Sequence, residues 1–427
     1  MVLNKWSYSW FFLSVLALSF FSRCNTSPYN VNYSHLYSGT ASILQPDYII
    51  YHHQDDSSQV YFNINSEELL YVRKDKSEPY HASVLVHYRL YSGIDSKIIL
   101  DSASRKIEDI TDEKSSKSIL GNFSIPVPMG GKYFLKLLTT DLNRGSIDEA
   151  HLLVDKRKTS GSQFFLLKKL PEEVALFTNY IVSDNEFLVE SKMNKNSDFQ
   201  GRFYNRKFPL AAPPFSVAVS KPFKYYPDSI AVYSLNAEGR MNFTVQDSGF
   251  VQFQTDTSSR TGYTLFRQQA GFPSIKTTEG MFYPLRYICT KNEYNSFLLS
   301  SDLKKSIDKF WINKTGSKER GRELIKKYYN RVQTANQYFT SYIEGWKTDR
   351  GMISLIFGPP KVVNKSNDSE TWIYGEETNT LSLRFTFNKV NNPFTNNDYK
   401  LIRGPGYRTH WYRAVDAWRS GRVYWVN

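Results

Sequence analysis

Regular alternation of apolar and polar residues runs through the first third of the chain. The longest example, Ala82–Tyr91, alternates as expected for a strand with one buried face. Shorter strand-like runs at Val60–Ile64 and Gly121–Pro128 are separated by Gly, Pro and Asp residues that favour turns. The pattern predicts an all-β domain at residues 46–158, folded as an immunoglobulin-like sandwich. We expect it to serve spacing or adhesion, because no chemistry is visible in it.

A second strand-rich stretch follows the turn at Thr159–Ser162. Its segments Ser216–Val219, Ile230–Tyr233 and Gly249–Phe253 are short and rich in β-branched and aromatic residues. Proline pairs and Tyr-rich turns between them suit the loops of a sandwich. We therefore predict a second all-β immunoglobulin-like domain at residues 162–288.

The hydrophobic period becomes helical near residue 290. Ser301 or Asp302 can cap a helix, and a longer helix is expected to begin near Ser317 and to end around Ile343. Gly345 then looks like a left-handed stop. The apolar positions of the last helix share one face: Trp411, Ala414, Val415 and Trp418.

Strand patterns also occur in this C-terminal part. Met352–Phe357 is an apolar run of the kind found in buried strands, and the turn Gly358-Pro359-Pro360 ends it. Thr371–Tyr374 and Leu381–Phe387 predict two further strands. Residues 289–427 are thus expected to form an α+β domain, so that the whole chain is multidomain.

The N-terminus has the composition of an export signal. Lys5 precedes the apolar stretch Trp10–Phe21, and Ser22-Arg23-Cys24 closes it, which predicts a signal peptide at residues 1–23. The segment resembles a lipoprotein signal, which implies lipidation of Cys24 and a tether over residues 24–45. The alternative is an ordinary secreted protein. Cys289 is the other cysteine, and we expect a buried apolar role for it.

Charge is concentrated at the C-terminal end. The chain carries a net charge of +13, and residues 289–427 hold 23 Lys and Arg against 13 Asp and Glu, a net of +10. This excess favours an acidic protein or glycan, an anionic membrane surface or lipopolysaccharide phosphates as partner. The alternative is a solvated surface that only keeps the protein soluble. An exported chain without a nucleic-acid motif is not expected to bind nucleic acid.

One motif of the C-terminal part resembles a known family. Gly345-Trp346-Lys347-Thr348-Asp349-Arg350-Gly351 matches the GWxTD signature, followed by Gly358-Pro359-Pro360 in the expected order. Asp308–Trp311 upstream and Glu370–Tyr374 downstream also resemble segments of that family. The resemblance implies an exported protein of the Bacteroidota type, with a β-rich N-terminal region, and it implies no particular reaction.

The signature also has a structural interpretation. Gly345 ends a helix, Trp346 fills the junction below it, and Thr348 and Asp349 bond local backbone. Arg350 offers a planar fork to a carboxylate, for which Glu370 and Asp349 are the candidates. Gly351 allows close backbone approach. These residue types suit a demanding corner between a helix and a strand.

A functional interpretation uses partly the same residues. Arg350, Glu370, His410 and Arg413 are candidate ligand-binding residues, and Asp349 with Glu370 is the candidate acid–base pair of an envelope hydrolase acting on glycan or peptidoglycan. His52-His53-Gln54-Asp55-Asp56 is a weak candidate for zinc. Since no phosphate-binding loop, HExxH motif or CxxC pair is present, we predict no catalytic residue, metal or cofactor.

The sequence as a whole favours a non-catalytic lipoprotein of the outer membrane. Its basic C-terminal domain is expected to bind a protein or glycan partner. The residues after Cys24 lack an acidic cluster that resembles a surface-export signal, which favours the periplasmic leaflet. The alternatives are the hydrolase and an accessory subunit of an outer-membrane secretion or assembly complex.

Overall fold

A computed structural model describes residues 33–37, 44–94, 96–113, 115–182, 186–217, 223–244, 249–366 and 368–424. The predicted signal peptide, Cys24 and most of the predicted tether lie outside these residues. Within them, the helices are too short or too polar to cross a membrane.

The first β region consists of two antiparallel sheets. One has the strand order β1-β2-β5 and the other β4-β3-β6-β7. The strands are β1 (Asp47–Tyr51), β2 (Ser57–Asn65), β3 (Tyr80–Tyr91), β4 (Ile99–Thr111), β5 (Ser118–Pro126), β6 (Lys132–Asp141) and β7 (Ile147–Asp155).

Alternation along these strands creates one shared core. Val60 and Phe62 from the first sheet and Val84, Val86 and Leu137 from the second are all buried in the same cluster. Their polar neighbours along the strands point outward, so the two sheets bury one face each. The predicted all-β region is confirmed at this level.

The second β region also has two sheets, of orders β14-β11-β8-β9 and β10-β16-β15-β12-β13. All pairs are antiparallel except the short pair β10–β16. The strands are β8 (Leu166–Lys169), β9 (Val174–Ala175), β10 (Tyr180–Ile181), β11 (Glu186–Glu190), β12 (Asp198–Tyr204), β13 (Ser229–Ser234), β14 (Arg240–Thr244), β15 (Gly249–Gln254) and β16 (Tyr263–Arg267).

The C-terminal region packs helices around a four-stranded antiparallel sheet of order β17-β18-β19-β20. The helices are α1 (Thr278–Phe282), α2 (Lys291–Leu298), α3 (Leu303–Thr315), α4 (Lys318–Phe339), α5 (Asp349–Phe357) and α6 (Tyr407–Arg419). The strands are β17 (Val362–Lys365), β18 (Ser369–Tyr374), β19 (Leu383–Lys389) and β20 (Tyr399–Leu401). The α+β prediction is confirmed.

Several predicted capping residues and apolar helix faces are confirmed. Asp302 caps α3 by accepting a hydrogen bond from the Lys305 amide, and Ser317 caps α4 in the same way. Trp411 and Trp418 point from α6 into the core. Amphipathic stripes and capping residues therefore identified α3, α4 and α6 correctly.

The predicted strand at Met352–Phe357 is wrong, because these residues belong to α5. All nine residues of α5 are buried, so the helix has no polar face to reveal its period. The signature is accordingly a corner between two helices, α4 and α5, and the predicted helix-to-strand corner is corrected.

An aromatic cluster joins the second β region to the C-terminal region. Phe394, from the loop between β19 and β20, contacts Tyr204 of β12 and Phe250 of β15, with ring centroids 4.8 Å apart in each pair. Tyr204 stacks on Phe250 at 4.6 Å. The two regions thus share a packed interface.

Candidate functional site

Helix α5 begins within the signature and lies at the centre of the C-terminal region. Gly345–Lys347 form a 3-10 turn, and Thr348 caps the helix that follows. The Thr348 hydroxyl accepts a hydrogen bond from the Gly351 amide at 3.1 Å and donates one to the Gly345 carbonyl at 2.8 Å. One side chain therefore fixes both the turn and the helix start.

Both signature glycines are required by close packing. A Cβ on Gly345 would lie 1.8 Å from the carbonyl oxygen of Ala335 in α4. A Cβ on Gly351 would lie 1.8 Å from the carbonyl oxygen of Gly345. The predicted left-handed stop at Gly345 is wrong, since this residue has no positive φ and α4 already ends at Phe339. The predicted close approach at Gly351 is correct.

Asp349 forms an ion pair with Arg403. The carboxylate is 3% exposed and accepts hydrogen bonds from the Arg403 guanidinium and, at 2.8 Å, from the Leu401 amide. Arg403 also donates to the Ala212 carbonyl at 3.0 Å, in the segment that follows β12. Asp349 therefore ties α5 to β20 and, through Arg403, to the second β region.

Arg350 pairs with Glu370, one of its two predicted partners. The Arg350 Nη1 and Glu370 Oε1 atoms are 3.1 Å apart, and both residues are 2% exposed. Arg350 also donates to the Asn397 carbonyl at 3.0 Å and stacks on Tyr399, 3.9 Å from the ring centroid. The planar guanidinium thus bridges α5, β18 and the start of β20.

Glu370 accepts three further hydrogen bonds. The donors are Trp372 Nε1 at 3.2 Å, Lys365 Nζ at 3.2 Å and Tyr37 Oη at 3.0 Å. Burial acts to raise the pKa of Glu370, but Arg350, Lys365 and these hydrogen bonds outweigh it and hold that pKa below its usual value. The carboxylate is thereby kept charged and fully occupied.

Tyr37 reaches Glu370 from the predicted tether. Residues Ser34–Tyr37 form a 3-10 turn, and the Tyr33 amide donates to the Val363 carbonyl at 2.9 Å. The Tyr37 ring is buried against Phe339 and Trp372. This part of the chain is therefore docked on the C-terminal region.

The C-terminal end of α5 is also held by side chains from elsewhere. Arg331 of α4 donates to the Leu355 and Ile356 carbonyls at 3.2 and 3.1 Å, and Trp418 Nε1 donates to Ile356 at 3.1 Å. Burial lowers the pKa of Arg331 to about 10. The predicted stop at Gly358-Pro359-Pro360 is in place, with Gly358 at φ +88°. Carbonyls that a helix end leaves open are thus satisfied.

The other predicted ligand residues lie apart from this network. His410 and Arg413 are on α6, half-buried and exposed respectively. Asp349 and Glu370 belong to separate ion pairs, with Arg403 and Arg350. The cavity beside Trp346 and Asn336 measures about 10 Å³, which is room for one water molecule.

The predicted zinc candidate at His52 and the thiol of Cys289 show no sign of a reactive site. His52 is buried and lies within hydrogen-bond distance of Ser58, at 2.8 Å, and of Gln163. Among the described residues no group of three or more His, Cys, Asp and Glu side chains is arranged to hold a metal. Burial raises the pKa of the half-buried Cys289 thiol to about 12, which suppresses the reactive thiolate.

Four members of the network escaped the sequence reasoning: Tyr37, Arg331, Asn397 and Arg403. The charged residues at the start of the buried helix α5 need hydrogen-bond partners. The sequence therefore implies that some Arg and Asn residues contact α5, but it does not show which ones.

Comparisons with known proteins identify the region that contains this network. The sequence model of the GWxTD domain matches residues 249–420, which begin in β15 and end after α6. No curated protein matches the sequence.

Three solved structures show remote similarity to this chain. A candidate β-galactosidase of Bacteroides fragilis is 12% identical over 34% of this chain, with a TM-score of 0.17, and the match spans 18% of the length of that protein. The major pilin subunit BcpA of Bacillus cereus is 13% identical over 55% of this chain and 66% of its own, with a TM-score of 0.14. Escherichia coli alpha-2-macroglobulin is 10% identical over 54% and 24%, also with a TM-score of 0.14. The matched residues, with the signature at their centre, show that this chain contains a GWxTD domain.

Proposed function

We propose that the protein is a non-catalytic lipoprotein of the outer membrane whose GWxTD domain binds an acidic protein or glycan. The observation that carries the proposal is a contrast in charge within that domain. The carboxylates and guanidinium groups around the start of α5 are buried and paired, while most of the cations on α3 and α4 are exposed. A partner in solution reaches only the second group.

The exposed cations lie on two consecutive helices, which we call the basic hairpin. They are Lys304, Lys305, Lys309, Lys318, Arg320, Arg322, Lys326 and Lys327. Of these, Lys304 pairs with Asp308 at 2.5 Å. Among the described residues the other seven form no ion pair, and Glu319 and Glu323 are the exposed carboxylates of α4. The surplus favours an acidic partner and a binding strength that falls with salt.

The burial of Asp349 and Glu370 supports a non-catalytic role. A general acid or base must reach the proton that it transfers. Asp349 and Glu370 are almost fully buried, each with several hydrogen-bond donors already in place. Their charges stabilise the fold around α5, which leaves neither carboxylate free for a substrate.

Lipidation of Cys24 is part of the proposal and has a geometric consequence. Tyr33, which is docked on β17, follows Cys24 by nine residues. A chain of that length spans at most about 30 Å when fully extended. With lipid on Cys24, the GWxTD domain is therefore held close to the membrane, on the periplasmic side in our proposal. The β regions then project from it and do not separate it from the bilayer.

The two β regions are proposed as immunoglobulin-like modules. Support comes from the first region, where sheets of three and four strands enclose one core.

A pull-down with matched charge variants tests the partner. Full-length protein is solubilised in detergent and captured at low and high salt. We expect a co-purifying partner at low salt that is reduced at high salt and in Lys326→Ala/Lys327→Ala. The control Lys74→Ala/Lys76→Ala removes two exposed cations of the first β region and should retain the partner. Absence of any partner at either salt concentration, or equal loss in both variants, contradicts the proposal.

A second experiment tests the anchor. Because the chain has two cysteines, Cys24→Ser and Cys289→Ser form a matched pair. Cys24→Ser should shift the protein from the detergent phase to the aqueous phase, while Cys289→Ser should leave it with the detergent. Protease treatment of intact cells then assigns the leaflet: digestion would overturn the periplasmic assignment.

A further inference from the structure

A groove lies where the second β region meets the GWxTD-domain loop that carries Phe394. Its floor is formed by β12 and β15, and its walls by residues 223–226, 257–260 and 393–394. The groove has a volume of about 680 Å³, which is the size of typical small-ligand sites. We call it the junction groove.

The charges of the junction groove have one sign. Arg202, Lys224 and Arg260 line it, and no Asp or Glu is among the described residues that line it. Arg202 donates to Gln254 Oε1 at 3.1 Å, while its buried Nε atom has no hydrogen-bond partner among the described residues. A buried donor without an acceptor is costly. The guanidinium that carries it lines the groove, where an anionic group can pair with its charge.

The wall that carries Arg260 is rigidly supported. Gln252 and Gln254 are buried, and their side-chain amides donate to the backbone carbonyls of Arg260 at 3.0 Å and of Ser259 at 3.1 Å. The Arg260 guanidinium also lies over the Tyr225 ring, 4.2 Å from its centroid. Its position is therefore set before a ligand arrives, which lowers the entropy lost on binding.

An aromatic surface lies next to these cations. Tyr226 lines the groove and is 83% exposed, an unusual state for a large aromatic ring. A tyrosine combines a flat apolar face with a polar hydroxyl. The ring of a sugar has the matching property, since one face presents C–H groups and the edges carry hydroxyls. Ser258 and Thr257 add hydroxyls to the same wall.

We propose that the junction groove binds a short segment of acidic glycan, with a uronate carboxylate on Arg202 and Arg260 and a sugar ring on Tyr226. The site deepens the function proposed above, on which it rests for the acidic nature of the partner. It adds a second binding surface that differs from the basic hairpin. The hairpin is an exposed, highly charged surface of two helices, whereas the junction groove is concave and has few charges and an aromatic wall.

Calorimetric titration of the full-length protein in detergent tests the site. The probes are tetragalacturonate, the neutral maltotetraose and inorganic phosphate. We expect tetragalacturonate to bind, maltotetraose to bind at least tenfold more weakly, and phosphate to compete only at far higher concentration. Arg260→Ala should weaken binding of the uronate about tenfold, the effect of one lost charged hydrogen bond. Tyr226→Ala should weaken it by a smaller factor.

The controls separate this site from the rest of the surface. Lys74→Ala removes an exposed cation of the first β region and should leave binding unchanged. Equal binding of maltotetraose, equal competition by phosphate, or absence of uronate binding overturns the proposal. Loss of binding in Lys326→Ala/Lys327→Ala but not in Arg260→Ala assigns the glycan to the basic hairpin and also overturns it. A partner retained in the pull-down while uronate fails to bind would leave the proposed function intact.

Discussion

Two parts of the GWxTD domain are rich in charged residues and use them in opposite ways. Asp349 and Arg350 at the start of α5 and Glu370 on β18 are buried, and each charge has a partner of opposite sign within hydrogen-bond distance. On the basic hairpin the exposed charges are mostly positive. The first arrangement stabilises a fold, and the second is available to a partner.

The difference shows why a signature need not mark a binding site. Gly345 and Gly351 are required by backbone contacts, and Thr348 by helix capping. Asp349 and Arg350 tie α5 to β20 and β18. Each of these five residues thus has a structural reason for its chemistry, and all five are buried away from a ligand. We therefore expect the residues that bind a ligand to lie outside the signature.

Removal of Glu370 should give the largest loss of stability. Glu370→Ala leaves Arg350 buried without its carboxylate and leaves Tyr37 and Trp372 without an acceptor. We expect the free energy of unfolding of the domain to fall by about 3–5 kcal/mol. Tryptophan fluorescence during urea unfolding measures it selectively, because every Trp beyond the predicted signal peptide lies at or after Trp311.

The same carboxylate predicts a pH dependence. The pKa of Glu370 is lower in the folded protein than its ordinary value of 4.5. The contribution of the Glu370 charge to the free energy of unfolding is therefore fully present above pH 4.5, and it is lost as the pH falls through the pKa of the folded protein. In Glu370→Gln the acid limb of the stability profile should be flatter than in the wild type. Identical profiles would mean that the charge of Glu370 does not stabilise the domain.

Substitution of Gly345 should have the next largest effect. In Gly345→Ala the new methyl group overlaps the Ala335 carbonyl, so α4 and the turn must separate, at a cost of about 1–3 kcal/mol. Gly406→Ala is the matched control, since a Cβ there meets no atom within 4 Å. A small, equal effect of both substitutions in the fluorescence assay would argue against close packing as the reason for Gly345.

The fold was predictable where one face of an element meets water. The stripe on α6 and the alternation of β3 and β19 identified these elements. Helix α5 was not identified, because a helix that is buried on all sides resembles a buried strand. Strand β4 was overlooked for the opposite reason: most of its residues are exposed on both faces, so it shows little alternation.

The network around α5 was predictable only in part. The pairing of Arg350 with Glu370 followed from the need of a buried guanidinium for a carboxylate, although Asp349 was an equal candidate. Arg403 and Tyr37 come from segments that are distant in sequence, and only the fold brings them together. The junction groove was missed for the same reason, since its walls come from three separate parts of the chain.

Loss of the Thr348 hydroxyl should have an intermediate effect. Thr348→Ala removes the cap of α5 and leaves the buried Gly351 amide without its acceptor, which costs about 1 kcal/mol. Thr348→Ser keeps the hydroxyl and should restore most of that stability. Thr409→Ala on the exposed face of α6 serves as the control. Equal unfolding midpoints for Thr348→Ala and Thr409→Ala would show that capping of α5 is not the reason for Thr348 in the signature.

Substitution of lysines on the basic hairpin should have the smallest effect on stability, in contrast to substitution of the buried charges around α5. Lys326 and Lys327 are exposed and form no ion pair among the described residues, so Lys326→Ala/Lys327→Ala should change the free energy of unfolding by less than about 0.5 kcal/mol. The same variant should lose partner in the low-salt pull-down, because the cations act on a ligand and not on the fold. Urea unfolding and pull-down on one protein preparation give both readouts. A large loss of stability with the partner retained would assign the hairpin a structural role like that of α5, and the two regions would no longer differ.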